Sequence, residues 1–123
     1  MANITATAGI PAWRYLFNAT FPNTQPAAAL GVNLGAYHSS EIPIVFGSFP
    51  QAGATAQEVE LSKFVRGAWS TFAKNPEGGP GWSKWEGKNL GVIGSNGSIG
   101  VVTIPASDVD FRCPILEPII LAG

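Results

Sequence analysis

Charged side chains are scarce in this sequence. They make up 12% of its 123 residues, as seven basic and eight acidic side chains scattered singly, whereas an average soluble domain carries about 25%. No basic stripe is present that could neutralise phosphates, so we predict no nucleic-acid binding. A short chain leaves much of its surface wet, so this scarcity indicates that something else covers part of the surface. The alternative is a compact domain with a neutral exterior rich in Ser, Thr and Asn.

Long hydrophobic runs are also absent. The longest, such as Pro43–Phe46, fall far short of the length that spans a bilayer, so we predict no membrane span. Residues 1–9 have neither the basic region nor the apolar core of a signal peptide. As given, the sequence is therefore expected to carry no export signal.

Cysteine and histidine occur once each, as Cys113 and His38. A single cysteine cannot form an internal disulfide, and in a secreted protein its partner would lie on another segment. The sequence has too few of these side chains for a metal site, and we expect no metal and no cofactor. The two could pair as thiol nucleophile and base, but Cys113 lies near the chain end beside Pro114, where a structural role is favoured.

Three N-glycosylation sequons are present, at Asn3, Asn18 and Asn96. Together with the unpaired cysteine, they indicate part of an exported glycoprotein from which the start is missing. We therefore expect a secreted, extracellular protein and take the three asparagines as possible glycosylation sites.

The first half of the chain is irregular. Gly9 is expected to close a helical turn, and the alternation of aromatic residues over 11–17 predicts a strand buried on both faces. Residues 18–40 form a long irregular stretch of the kind that is usually functional or disordered. Residues 43–47 form a short apolar run that fits either a strand or a helical turn.

The clearest element is an amphipathic helix from Thr55 to about Lys74. Thr55-Ala-Gln-Glu58 forms a capping box, and Asn75-Pro76 follows the helix end. Its apolar stripe is wide and aromatic, so the helix should lie against a larger body. The stripe consists of Leu61, Phe64, Val65, Ala68, Trp69 and Phe72.

The second half predicts a hairpin and one short helix. Leu90–Ile93 and Ile99–Ile104 flank Asn96-Gly97, a strong hairpin signal. Ser107 is expected to cap a last helix with Asp110 three residues on, and Pro114 and Pro118 should limit its length. The four tryptophans could form a sugar-binding platform, but Trp13 and Trp69 fit core packing better.

No convincing serine nucleophile is present. The closest string to Gly-x-Ser-x-Gly is residues 96–100, which begins with Asn and lies in the predicted hairpin turn instead of between a strand and a helix. Ser98 is therefore not expected to be catalytic, and no Gly-Gly oxyanion motif occurs. The glycines at 91, 94 and 97 resemble phosphate loops only superficially, because no Lys-Ser/Thr follows them.

Four strings, read in order, resemble the closing third or quarter of the type-B carboxylesterase/lipase family, the cholinesterase-like α/β-hydrolases. Gly9–Phe17 resembles the family's late central-sheet strand, Gly35–Gly47 its histidine loop, Leu61–Pro76 the following helix, and Gly81-Trp82 its Trp-Pro site. Residues 18–25 resemble fungal members. The resemblance implies an α/β fold class: residues 1–123 would be the C-terminal fragment of an α/β-hydrolase domain, with strand, histidine loop, amphipathic helix, hairpin and short helix.

The resemblance also implies a catalytic role for His38 in carboxylic ester hydrolysis, with Glu41 orienting the loop instead of acting as the triad acid. The serine, the acid and the oxyanion hole should lie upstream, so this chain alone is predicted to be inactive. The strand at 11–17 would lack a neighbour, which invites association. Expected partners are the missing N-terminal part or a self-association partner, with a small ester substrate for the intact protein. The alternatives are a non-catalytic remnant or binding module, or one half of a split esterase.

Overall fold

The computed structural model describes residues 2–121, in which short helices surround one long helix and a small sheet. This mixture is compatible with a fragment of an α/β fold. The strands are β1 (Tyr15–Phe17), β2 (Asn89–Ile93) and β3 (Val101–Pro105). The α-helices are α1 (Ala2–Thr7), α2 (Ile42–Phe46), α3 (Ala56–Lys74), α4 (Ser107–Asp110) and α5 (Cys113–Leu121), and short 3-10 turns lie at Pro22–Thr24, Ala28–Leu30, Pro76–Gly78 and Ser95–Gly97.

The sheet has the order β1-β2-β3 and is mixed. β1 runs parallel to β2, with Leu16 opposite Val92, and β2 runs antiparallel to β3, with Val92 opposite Val102. Because parallel neighbours need a crossover, residues 18–88 leave the sheet and return through α2 and α3. β1 is left at an edge, with one side unpaired by the described residues.

The predicted hairpin is confirmed. Asn96 and Gly97 both have positive φ, 49° and 79°, and the Ser98 amide donates to the Ser95 carbonyl at 2.9 Å. Positive φ at both central residues is the type I′ geometry, whose twist matches that of the flanking strands. The Asn-Gly pair therefore reverses the chain between β2 and β3, which pair with Ile93 opposite Val101.

The predicted helix α3 is confirmed at both ends. Thr55 precedes it in an extended conformation and its hydroxyl accepts from the Glu58 amide at 3.1 Å, and the helix ends at Lys74. Leu61 and Val65 are fully buried, and each such side chain contributes about 1.5–3 kcal/mol by leaving water. They pack in the main core, which consists of Ala19, Phe21, Ile44, Phe49, Leu61, Val65 and Ile93.

The prediction that tryptophans serve packing is confirmed for Trp69, which lies against the main core. Trp13 and Trp69 are only half-buried, whereas Trp85 is 4% exposed and centres a second cluster with Leu90 and Ala106. The Trp85 indole donates to Asn3 Oδ1 at 2.8 Å, and a guanidinium lies 4.4 Å from its ring centroid. That guanidinium belongs to Arg14, which also holds Asp110 through two bonds of 2.6 and 2.8 Å. Trp85 therefore ties the amino-terminal helix to the rest of the fold.

The three predictions for the first half have different outcomes. The helical turn closed by Gly9 is confirmed by α1 and by the positive φ of Gly9, 76°. The strand buried on both faces was wrong, because β1 is only three residues long and leaves Tyr15 and Leu16 40% and 39% exposed. Among the described residues β1 pairs only with β2, so its other edge carries no strand that would help to cover these side chains. The ambiguous run at 43–47 is helical, as α2, and ends at Gly47 with a φ of 65°.

The short helix predicted at Ser107 is confirmed as α4, which ends before Pro114, but the cap at Ser107 was wrong and this helix is not the last. Ala106 occupies the N-cap position of α4, and no side chain caps the helix there. The Ala106 amide donates to the Lys88 carbonyl at 2.7 Å, which holds Ala106 in that position. A further helix, α5, then includes both prolines. Pro114 lies in the first turn, where no helical bond is lost. Pro118 removes one backbone hydrogen bond without ending the helix.

Within residues 2–121, no helix combines the length and the apolar character needed to cross a membrane.

Candidate functional site

His38 lies in a cleft of about 280 Å³ formed where residues 36–41 pass beside β1. The other wall is Tyr15–Phe17, so the loop and the edge strand face each other across the cleft. The imidazole is exposed and makes no hydrogen bond to any residue within 2–121. It is therefore accessible to a partner or a substrate.

Two left-handed residues shape the turn around His38. Gly35 has a φ of 65° and Ser39 a φ of 68°. Glycine adopts this conformation freely, but positive φ is uncommon for serine and strained backbone of this kind concentrates at functional sites. The Ser39 carbonyl accepts from the Ile42 amide at 3.1 Å, which leads the chain directly into α2.

The approach to His38 is fixed by two consecutive residues of the preceding stretch, Thr24 and Gln25. The Tyr37 hydroxyl donates to the Thr24 carbonyl at 2.7 Å. Gln25 accepts from the Leu34 amide at 2.9 Å and donates to the Gly35 carbonyl at 3.2 Å. Both the residue next to His38 and the segment before it are thereby anchored, while the imidazole itself stays free.

The structure does not join Glu41 to His38 by a hydrogen bond. Glu41 is half-buried and occupies the N-cap position of α2, where its carbonyl accepts from the Val45 amide at 2.9 Å. Burial, and to a smaller extent the Glu41 charge, raises the pKa of Tyr15 across the cleft. The Glu41 carboxylate therefore acts electrostatically on Tyr15, on the β1 side of the cleft.

The remaining candidates lie elsewhere. Ser98 sits in the hairpin turn, where its hydroxyl accepts from the Gly100 amide at 3.1 Å, and it does not line the His38 cleft. Cys113 is a free, half-buried thiol at the start of α5. Among the described residues, no group of three or more His, Cys, Asp or Glu side chains is placed to hold a metal ion.

The three sequon asparagines are all exposed. Asn3 lies in α1 with its Oδ1 already accepting from Trp85, whereas Asn18 follows β1 and Asn96 lies at the tip of the hairpin. The structure therefore leaves each side chain at the surface, in three different backbone settings.

Apolar side chains crowd the surface next to the His38 cleft. We call this surface the β1–α2 face, defined by Tyr15, Ile42 and Phe46. Phe46 is 74% exposed, and a second cleft of about 410 Å³ lies along the face. It shares Tyr15 and Glu41 with the His38 cleft. An apolar patch that adjoins an open strand edge is typical of a surface that another segment covers.

Sequence reasoning missed a buried polar contact behind the histidine loop. Asn23 Nδ2 donates to Glu58 Oε1 at 3.1 Å and to the Pro50 carbonyl at 2.9 Å. Glu58 is 0% exposed, and burial raises the pKa of its carboxyl, opposed by the Asn23 amide and the Thr55 backbone. The available signal was the spacing of Glu58 to Leu61 and Val65, which places the carboxyl on the apolar stripe of α3.

Comparison with known proteins gives partial similarity to esterases and lipases. The chain is 34% identical over 83 residues to secreted lipase 5 of Gibberella zeae, which covers 67% of this chain and 15% of the lipase. It is 33% identical over 75 residues to a chlorogenic acid esterase of Aspergillus niger, covering 59% and 14% of the two chains. Over 56 residues it is 45% identical to carboxylesterase 1D of Mus musculus, covering 42% and 10%. No protein-family model matches the chain.

These similarities support an esterase- and lipase-like relationship over part of the sequence. The chain spans about one seventh of the length of the two fungal relatives it matches.

Proposed function

We propose that residues 1–123 are the C-terminal part of a type-B carboxylesterase/lipase domain with the α/β-hydrolase fold, and that His38 is its catalytic acid–base group. The observation that carries this proposal is the exposed, unpaired imidazole in a cleft beside an edge strand. An imidazole in that state can accept a proton from a serine hydroxyl and return it to a leaving alcohol. The partial similarity to lipases and esterases supports the choice of reaction.

In this proposal, the serine, the triad acid and the oxyanion donors come from polypeptide outside this chain. The short coverage of the relatives leaves room for them. The open edge of β1 and the β1–α2 face are where that polypeptide would dock, because both present groups that favour a covering strand or helix. The isolated chain is then expected to be inactive.

In this proposal His38 acts in turn as the base for the attacking serine and as the acid for the leaving alcohol. His38 takes the serine proton as the serine oxygen attacks the ester carbonyl, and it gives that proton to the departing alkoxide. In the second half it takes a proton from water and returns it to the serine as the acid leaves. Glu41, at the start of α2, would hold the loop in place.

Small carboxylic esters are the substrates that the names of the relatives suggest. The relative named as a secreted lipase also favours secretion, and the exposed sequon asparagines are compatible with glycosylation there. We therefore propose an extracellular site of action, with Asn3, Asn18 and Asn96 as possible sugar-bearing residues.

A chimera tests the proposal. In it, residues of this chain replace the matching stretch of the Gibberella zeae secreted lipase, and hydrolysis of p-nitrophenyl butyrate is measured. We expect turnover that falls about 10⁴- to 10⁶-fold in His38→Gln, because the serine loses its base. Lys84→Gln, an exposed change in the connector, is the matched control. Equal turnover of His38→Gln and the unsubstituted chimera would contradict the proposal.

A further inference from the structure

Three buried side-chain atoms lack a hydrogen-bond partner within the described part of the chain: Asn23 Oδ1, Ser40 Oγ and Glu58 Oε2. Two of them belong to the Asn23 and Glu58 groups that already touch through Nδ2 and Oε1, 3.1 Å apart. A buried polar atom without a partner costs free energy comparable to a lost hydrogen bond. Two such atoms on adjoining groups call for one explanation.

A count of donors gives that explanation. Asn23 Nδ2 has two hydrogens, and both are used, toward Glu58 Oε1 and toward the Pro50 carbonyl. The remaining Asn23 oxygen can only accept, and both oxygens of an ionised carboxylate can only accept. One proton on Glu58 Oε2 turns an acceptor into a donor and satisfies both atoms at once.

The surroundings of Glu58 favour the neutral acid. Its side chain is fully buried, and a buried carboxyl without a cation is stabilised in its protonated form. The groups that act on it are the Asn23 amide, from the stretch before the histidine loop, and the Thr55 backbone, from the start of its own helix. Both are uncharged. The charged neighbours on α3, Glu60 and Lys63, pair with each other on the exposed face at 2.6 Å.

We infer that Glu58 is held as a neutral carboxylic acid that donates to Asn23 Oδ1, and that this two-bond acid–amide pair is a positioning element for the His38 loop. The second half of this inference rests on the proposed function of His38. An amide and a carboxylic acid form such a pair readily, because each presents one donor and one acceptor on the same side.

The path from the pair to His38 is short. Asn23 lies in the 3-10 turn Pro22–Thr24, and Thr24 accepts the Tyr37 hydroxyl at 2.7 Å. Asn23 also holds the Pro50 carbonyl, so the pair connects α3 to the turn on one side of the loop and to the segment after α2 on the other. Loss of the Glu58 contact lets the turn Pro22–Thr24 move. The hydrogen bond from Tyr37 to Thr24 then passes that movement to the adjacent imidazole of His38.

Two substitutions of Glu58 distinguish a neutral acid, which donates to Asn23, from a buried carboxylate, which cannot donate. Glu58→Gln keeps one acceptor and one donor and can form the same two bonds, whereas Glu58→Met has a similar length and forms neither. We expect His38 ring resonances in the NMR spectrum of the 123-residue chain to be unchanged in Glu58→Gln and displaced in Glu58→Met. Val65→Ala, which loosens the same helix without touching the pair, should leave them in place.

The protonation state is measured directly from the side-chain carboxyl ¹³C resonance of Glu58. We expect the protonated form at pH 5, above the ordinary pKa of 4.5, because burial raises the pKa of this carboxyl. A carboxylate resonance for Glu58 at that pH would overturn the first half of the inference. Unchanged His38 resonances in a folded Glu58→Met would overturn the second half. If Glu58→Met does not fold, Asn23→Ala replaces it, since it removes the other half of the pair.

In an active chimera the same variants give a kinetic readout. We expect kcat to fall roughly 10-fold or more in Glu58→Met with little change in KM, and to stay within about 3-fold in Glu58→Gln. Val65→Ala should lower the stability of the fold without the fall in kcat at constant KM that is expected for Glu58→Met. Because the NMR measurements need no turnover, an inactive chimera would count against the proposed function and leave the acid–amide pair to be decided separately.

Discussion

A single side chain, Glu58, is buried without a counter-ion at the point where α3 passes behind the histidine loop. Hydrogen bonds from uncharged groups are all that oppose the effect of burial. The cost of this arrangement is avoided only while the carboxyl keeps its proton. At the scale of one residue, the consequence is a stability that depends on pH.

Burial raises the pKa of Glu58 above its ordinary value of 4.5. The folded chain then binds this proton more tightly than the unfolded chain, so the contribution is complete below about pH 4.5 and is lost as the pH rises through the folded pKa. We predict that urea unfolding from pH 4 to pH 8 shows the stability of the unsubstituted chain falling relative to Glu58→Gln. Glu77→Gln, which is exposed and forms no ion pair with the described residues, controls for the lost charge. A difference that grows in favour of Glu58 with rising pH would contradict the prediction.

The hairpin β2–β3 and its turn illustrate the element scale. Gly94 and Gly97 bracket the turn with similar φ values of 75° and 79°, so alanine is strained at both. Their surroundings differ, because a Cβ at Gly94 would lie 2.6 Å from Ala19 Cβ and 3.0 Å from Leu61 Cδ2, whereas nothing lies closer than 3.8 Å at Gly97. The two glycines therefore separate backbone strain from steric overlap.

We predict that Gly97→Ala lowers the free energy of unfolding by about 1–2 kcal/mol, the cost of the left-handed backbone alone. Gly94→Ala should cost about 1–3 kcal/mol more, because the added methyl enters the main core where β2 ends. Chemical denaturation of both variants measures the difference. Equal losses of unfolding free energy in the two variants would show that the core around Ala19 accommodates the added methyl group at no cost in stability.

Elements that carry their own local signals were predictable. α3 followed from Thr55, whose hydroxyl caps it, and the hairpin followed from Asn96-Gly97. The burial of β1 was not predictable, because it depends on which strands lie beside it. The predicted cap of α4 was wrong for a similar reason, since a hydrogen bond to the distant Lys88 carbonyl holds Ala106, and not Ser107, at the N-cap position.

The site was predictable only in part for the same physical reason. His38 was singled out by the resemblance of residues 35–47 to a family's histidine loop and not by any local pattern of its own, and its catalytic role stays a prediction. The contact of Asn23 with Glu58 joins residues 35 positions apart. Nothing in the local pattern around Asn23 specifies that contact, and only the packing of the irregular stretch on α3 creates it.

At the scale of the whole molecule, the β1–α2 face is one of several apolar regions that the described residues leave exposed. Phe46 alone is 74% exposed, on a helix that borders the edge strand. So much accessible apolar surface on a small chain with few charges favours association over a dispersed monomer.

We predict that Phe46→Asp lowers concentration-dependent association of the chain, measured by sedimentation velocity, while leaving the far-UV circular dichroism unchanged. Leu30→Asp is the matched control, because Leu30 is 81% exposed and lies outside the face. A similar reduction by both variants would mean that added charge, and not the β1–α2 face, controls the association.

The parallel pairing of β1 with β2 also has a consequence for the order of events during synthesis. β1 leaves the ribosome first, and residues 18–88 must follow before β2 is available. At about 5–20 residues per second, the nascent edge strand waits several seconds for its partner. Over that interval Tyr15 and Leu16 are open to chaperones or to any strand made earlier, so the amino-terminal neighbour of β1, where one has been synthesised, reaches it before β2 does.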